Sequence, residues 1–163
     1  MNDMRESRYV TQLIVQGLGK LDHLGVIDAL DDARVKRMMN DAVRYLDSRI
    51  NEDYEELKKR TPETMDENHL SSRHIQYLYA RSFFKNIMIN PSHETAVRYY
   101  QNQAEKYWQK QNNYLQAMIA LALHRNKNDR VPELILTSLR DRALHSEEMG
   151  MYWKVPESAW YWH

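Results

Sequence analysis

Seven histidines, the adjacent carboxylates Asp31-Asp32 and Glu147-Glu148, and a cluster of aromatics near the C-terminus are the residues of this 163-residue chain taken first for their chemistry. A helical zinc pair needs His-Glu-x-x-His, which puts two imidazoles on one face one turn apart. That spacing is absent; His69 and His74 stand five apart, so no metal ligand set is expected and the histidines read as satisfied or exposed. Asp31-Asp32 and Glu147-Glu148 bear on glycoside cleavage, which places one carboxyl group on each side of a sugar. Neighbours on one helix point in different directions, so neither pair forms a dyad. The first reads as helix capping and the second as a solvated turn, and no catalytic residue is expected. Cysteine is absent, which excludes disulfides, thiolate metal sites, a cysteine nucleophile and a thioester within these residues. Tyr152, Trp153, Trp160 and Trp162 offer flat faces for sugars or bases, yet stacking on nucleic acid calls for basic residues around it. They read as packing against helix ends or neighbouring domains. Met38, Met39, Met88 and Met118 read as core filler, and no cofactor is expected.

Lysine plus arginine equals aspartate plus glutamate at 23 each, so no overall field draws in nucleic acid or an anionic membrane. No run of 18 apolar residues is present, so no membrane insertion is expected, and Met1 to Arg8 has no signal-peptide core. A chain of this length buries roughly 70% of its unfolded surface, one domain's worth over residues 1–163. Four glycines and four prolines beside eleven tyrosines suit helices more than tightly turned sheets.

The elements that must position these residues are helical. Tyr114 to His124 is apolar around nearly its whole circumference, the mark of a helix buried on several sides. After Arg125 to Asp129, the segment from Pro132 puts Leu134, Ile135, Leu139 and Leu144 on one side and Arg140, Asp141 and Arg142 on the other. The first is an inner helix and the second an outer one. The pairing repeats upstream. Val10, Leu13, Ile14, Leu18 and Leu21 space an inner helix from about Tyr9 to Leu24, with Gly17 and Gly19 marking a close approach and Gly25 its end. Asp28, Asp31 and Asp32 open a long outer helix to about Lys59, with Val35, Met38, Met39, Ala42, Leu46 and Ile50 inward. Residues 60–68 read as a surface loop around Pro62. Ser71 or Ser72 caps an inner helix that runs through His74 to Phe84 and ends near Asn86 to Asn90; Asn90-Pro91-Ser92 restarts an outer one to about Lys110, burying Ala96, Val97, Tyr100, Ala104, Tyr107 and Trp108. Ala42-Val43-Arg44-Tyr45 and Ala96-Val97-Arg98-Tyr99 form a faint repeat, as do Gln12, Gln76 and Gln116 near inner-helix starts. The expectation is an all-α chain of about three inner/outer pairs, over 9–59, 71–110 and 113–146. Past Leu144 the period changes to 2: Met149 to Val155 and Ser158 to Trp162 read as a C-terminal aromatic β-hairpin over about 149–162.

Tyr114 to Lys154, with Leu-Arg-Asp-Arg-Ala-Leu-His-Ser-Glu-Glu-Met-Gly-Met-Tyr-Trp-Lys at its end, and Arg8 to Leu21 (Arg-Tyr-Val-Thr-Gln-Leu-Ile-Val-Gln-Gly-Leu-Gly-Lys-Leu) resemble the thioester-type helical domain of alpha-2-macroglobulin-like proteins of bacterial cell envelopes. The resemblance implies a partial α/α toroid, terpenoid cyclase-like in shape. It also implies a place in a periplasmic or extracellular protease trap that closes on proteases cutting its bait region. The family's Cys-Gly-Glu-Gln motif is not in this sequence, so the covalent chemistry is lost and no functional residue carries over. The implied partners are neighbouring domains of a parent chain and the trapped proteases. An opened ring is expected to expose inner-helix surface around Ile119 and Leu123 and to self-associate. The competing expectation is an incomplete catalytic toroid of a glycoside hydrolase or polysaccharide lyase.

Overall fold

A computed structural model describes residues 7–26 and 32–154. Among these the chain is all-α, with helices α1 (Arg8–His23), α2 (Ala33–Arg60), α3 (Ser72–Arg81), α4 (Glu94–Tyr107), α5 (Asn113–Arg125) and α6 (Arg130–Asp141). Single 3-10 turns at Pro62–Thr64 and Trp108–Lys110 join them, and strands β1 (Leu144–Ser146) and β2 (Gly150–Tyr152) follow.

Local chemistry sets the helix ends. Asp32 accepts from the amides of Arg34 at 2.7 Å and Val35 at 3.3 Å, and Asn112 accepts from Leu115 at 2.9 Å, each satisfying donors that a helix start leaves bare. At the end of α1 Gly25 turns to φ +65, its amide bonds Asp22 and the Val26 amide bonds Leu21. That double closure satisfies the last carbonyls and needs a left-handed residue, which glycine supplies without a Cβ penalty. The same closure ends α5 through Lys127 and Asn128, but there a lysine holds φ +62.

Helix α3 lies at the centre, with Ile75, Tyr77, Leu78, Tyr79, Ala80 and Arg81 all buried. It contacts α1, α2, α4 and α5; α5 also packs on α6, and α2 packs on α1 and α4. The row α1, α3, α5, α6 thus runs across the molecule, with α2 and α4 adjacent to each other against it. In the repeated tetrapeptide Val43 and Val97 are buried, Arg44 and Arg98 exposed, and Tyr45 and Tyr99 half-buried, so the sequence echo is also an echo of burial. Gln12 and Gln116 are buried and donate to the Arg73 carbonyl at 3.2 Å and the Gln111 carbonyl at 2.7 Å.

Several expectations need correction. Met38 and Leu134 are half exposed rather than inward, and Met88 is 86% exposed, not core filler. In α2 the buried stripe is Met39, Val43, Leu46, Asp47 and Ile50, rotated by a fraction of a turn from the expected one. In α6 it is Ile135 and Leu139, with Pro132. Of the two helical glycines only Gly19 meets a close neighbour: a Cβ there would lie 2.9 Å from Phe83 Cβ and Cγ, whereas Gly17 has open space. The hairpin is real but shifted. Strand β2 pairs with Leu144–Ser146, a stretch expected to be helical, because α6 stops at Asp141 and the turn chemistry sits between the strands. There Ser146 Oγ accepts the Met149 amide at 2.9 Å and Gly150 takes φ +68. Ser158 to Trp162, expected as the second strand, and Asp28 and Asp31 lie outside the described residues.

Candidate functional site

The candidate site grows out of one polar residue in an apolar stripe. Asp47 follows Met39, Val43 and Leu46 on the buried face of α2 and is only 1% exposed. Across from it α3 presents Tyr77 and Arg81, one turn apart and so on the same face. Tyr77 donates its hydroxyl to Asp47 Oδ1 at 2.6 Å and Arg81 donates Nε to the same oxygen at 3.1 Å. The other guanidinium nitrogens donate to the carbonyls of Phe84 and Ile87. One buried arginine therefore ties α2 and α3 to the segment that leads into α4.

Burial pushes the Asp47 carboxyl above its ordinary value, and the Arg81 charge, the Tyr77 and Arg81 hydrogen bonds and the His93 charge pull it back only in part. The same burial, with Asp47 beside it, pushes the Tyr77 hydroxyl well up. Asp47 Oδ2 has no hydrogen-bond partner among the described residues, and neither has His93 Nδ1. Both residues line one cleft of about 410 Å3 with Arg44, Met88, Ile89, Asn90 and Pro91.

A second polar cluster is structural. Arg8 Nη1 lies 2.7 Å from Asp53 Oδ2 and His74 Nε2 lies 3.4 Å from it, joining the starts of α1 and α3 to α2. Burial alone would raise the Asp53 carboxyl, but the His74 and Arg8 hydrogen bonds and charges outweigh it and hold it below its ordinary value. A third cluster pins residues 65–69: Gln103 accepts the His69 amide and donates to the Glu67 carbonyl, both at 2.9 Å, and Tyr99 donates to the Met65 carbonyl at 2.9 Å.

The residues weighed from the sequence do not come together. His69 bonds the Thr64 carbonyl at 2.8 Å while His74 faces Asp53. Asp32 caps α2, and Glu147 and Glu148 are exposed between the strands. Among the described residues no group of three metal-ligating side chains forms. Trp153 donates its indole N–H to the Leu139 carbonyl at 2.8 Å, fastening the hairpin to α6; Trp160 and Trp162 lie outside the described residues. The Asp47 cluster was legible only as a stray carboxylate in the stripe Met39, Val43, Leu46, Ile50. Among the described residues no second carboxylate lines its cleft, so the arrangement lacks the pair of acids that sugar cleavage uses.

Two apolar surfaces lie uncovered at the ends of the helix row. On α1, Tyr9, Val10, Leu13, Ile14 and Leu21 are exposed, Leu13 by 56%. Between α5 and α6 a cleft of about 540 Å3 is lined by Ala117, Ala120, Leu121, Pro132 and Leu136, with His124, Asp129 and Glu133 at its polar margin. The expected exposure of Ile119 and Leu123 is wrong, since they are 1% and 2% exposed; the uncovered large apolar residues of α5 are Tyr114, at 62%, and Leu121, at 44%. Compared with family models, curated proteins and solved structures, the chain gives no match.

Proposed function

We propose that this chain is a non-catalytic structural domain of an alpha-2-macroglobulin-like protease trap of the cell envelope, an arc of an α/α toroid without the thioester. The observation that carries the reading is the pair of uncovered apolar surfaces, on α1 and between α5 and α6, at opposite ends of one row of helices. Isolated exposed leucines are ordinary, but contiguous apolar surface is where partners dock. An arc of a ring leaves such surface at both ends, where further helices of the ring or neighbouring domains lie. The order α1, α3, α5 with α2 and α4 against it fits inner and outer layers, and the sequence resemblance supplies the family. The domain's task in this reading is to bury those faces and to move as a unit when the bait is cut. Separated from its neighbours it self-associates.

A trap physically encloses its protease while leaving the protease's own active site intact. The test is to incubate the parent protein with a protease and follow cleavage of a small chromogenic peptide and of a large protein. Retained peptide cleavage with lost protein cleavage is the expected result. Equal loss or equal retention of both contradicts it, and turnover of a polysaccharide by this chain would establish the glycosidase or lyase class instead.

A further inference from the structure

We propose that α1 is the interface of a two-fold dimer of this chain, in which the helix and its copy cross antiparallel at Gly17. The proposal goes beyond the protease-trap reading and does not depend on it, since it concerns two copies of the chain by themselves.

A single copy gives Gly17 nothing to do. Glycine inside a helix is destabilising relative to alanine, a loss that is offset where another backbone comes close. Gly19 has such a neighbour in Phe83, but nothing lies within 4 Å of a Cβ built at Gly17. Its side of α1 is apolar. Gln12, Val15 and Gly19 are buried against the molecule, and at 3.6 residues per turn the opposite side runs through Val10, Leu13, Gly17, Leu21 and Leu24. The four large residues of that stripe are exposed, from 39% at Leu21 to 71% at Leu24.

Their spacing is what selects a second copy as the occupant. Leu13 and Leu21 each lie four residues from Gly17, and Val10 and Leu24 each lie seven. Turned end over end about the glycine, the stripe falls on itself: Leu13 meets the partner's Leu21, Val10 meets the partner's Leu24, and the two glycines face each other. That is the self-complementarity a two-fold interface requires. Helix axes pack about 8–10 Å apart depending on the side chains at the contact, and glycine at the crossing allows the near limit.

Charge does not oppose the pairing. Among the described residues of this side the one ionic group is Lys20, at its edge, with the ammonium 5.5 Å from the centre of the Tyr79 ring. Arg8, at the start of α1, is paired with Asp53. Antiparallel packing also sets the positive N-terminal end of each helix beside the negative end of the other. With exposed Tyr9 and Ile14 at the margins, a pair brings together large apolar side chains that cover on the order of 1,000 Å2, the size a specific interface clears.

The chain has no cysteine, so single thiols report the geometry. Leu13 is beside the partner's Leu21 in the antiparallel pair, but about 12 Å along the axis from the partner's Leu13, eight residues at 1.5 Å each. Leu13→Cys and Leu21→Cys chains, mixed and treated with a short bis-maleimide, should therefore crosslink to each other several-fold faster than either does to itself. Sedimentation equilibrium of the unaltered chain should show association that stops at the dimer at submillimolar concentration. Leu13→Glu and Gly17→Leu, both at open positions of a single copy, should keep the helical circular dichroism and each weaken dimerisation at least about tenfold. A monomer at that concentration, growth beyond the dimer, or unchanged association in either variant overturns the proposal. So does preferential crosslinking of Leu13→Cys to itself, which means a parallel pair, or to Leu121→Cys, which means docking in the α5–α6 cleft.

Discussion

Arg81 reaches Asp47 Oδ1 at 3.1 Å across the α2–α3 interface, and with it one buried ion pair decides how the segment between α3 and α4 is held. Removing one partner strands the other charge away from water, which costs about 3–5 kcal/mol, whereas removing both together costs much less than the sum. Asp47→Ala and Arg81→Met should each lower stability by about that much, and the double variant should be strongly non-additive. Urea unfolding of the four species checks this; additive losses would mean that the pair is not coupled.

Buried Asp47 and half-buried Asp53 respond to acid in opposite directions. Asp53 sits below its ordinary value of 3.8, so its ionised form stabilises the fold above that pH, and the contribution is lost as pH falls through the lowered value. Asp47 sits above 3.8, so its ionised form carries a cost at neutral pH that protonation relieves as pH falls through the raised value toward 3.8. Relative to the wild type, the penalty of Asp53→Asn should shrink toward acid pH and that of Asp47→Asn should grow. Urea midpoints between pH 3 and pH 7 read both trends; parallel trends would contradict the assignment.

The glycines of α1 make a contrasting pair. Gly17→Ala enters open space and should stabilise by up to about 1 kcal/mol through helix propensity. Gly19→Ala drives a methyl to 2.9 Å from Phe83 Cβ and Cγ, where overpacking costs typically about 1–3 kcal/mol and outweighs that gain. Thermal unfolding of the two variants should therefore move in opposite directions.

At the end of α5, Lys127 holds φ +62, a left-handed conformation that costs an L-residue roughly 1–2 kcal/mol. Lys127→Gly should raise stability by about 1 kcal/mol, read as a higher urea midpoint with an unchanged slope.

Much of the helix framework was legible because its signals are local. Asp32, Ser71 and Gly25 mark ends by their own hydrogen-bonding and backbone preferences, and each does so within a residue of the expected boundary. The facing of the helices was less legible, because periodicity defines a stripe only to within part of a turn. Met38 and Leu134 fit a stripe by spacing, but contacts with α4 and α5 turn the neighbouring residues inward instead. The hairpin shifted for a related reason: Leu144–Ser146 fits a helix end or a strand equally well, and pairing with Gly150–Tyr152 decides. The Asp47 site could not be assembled from sequence, since its members come from α2, α3 and the segment before α4 and are related only by the fold.

The account's central claim is that the uncovered faces of α1 and of the α5–α6 cleft are interdomain surfaces. The absence of cysteine makes a direct measurement available. Leu13→Cys and Leu121→Cys each place a single thiol on one face of the chain, and alkylation rates can be compared between the chain alone at nanomolar concentration and the same chain within the parent protein proposed above. Slowing by at least about tenfold in the parent, the equivalent of about 1.4 kcal/mol of protection, is the predicted result at both positions. Equal rates in the two settings would contradict it.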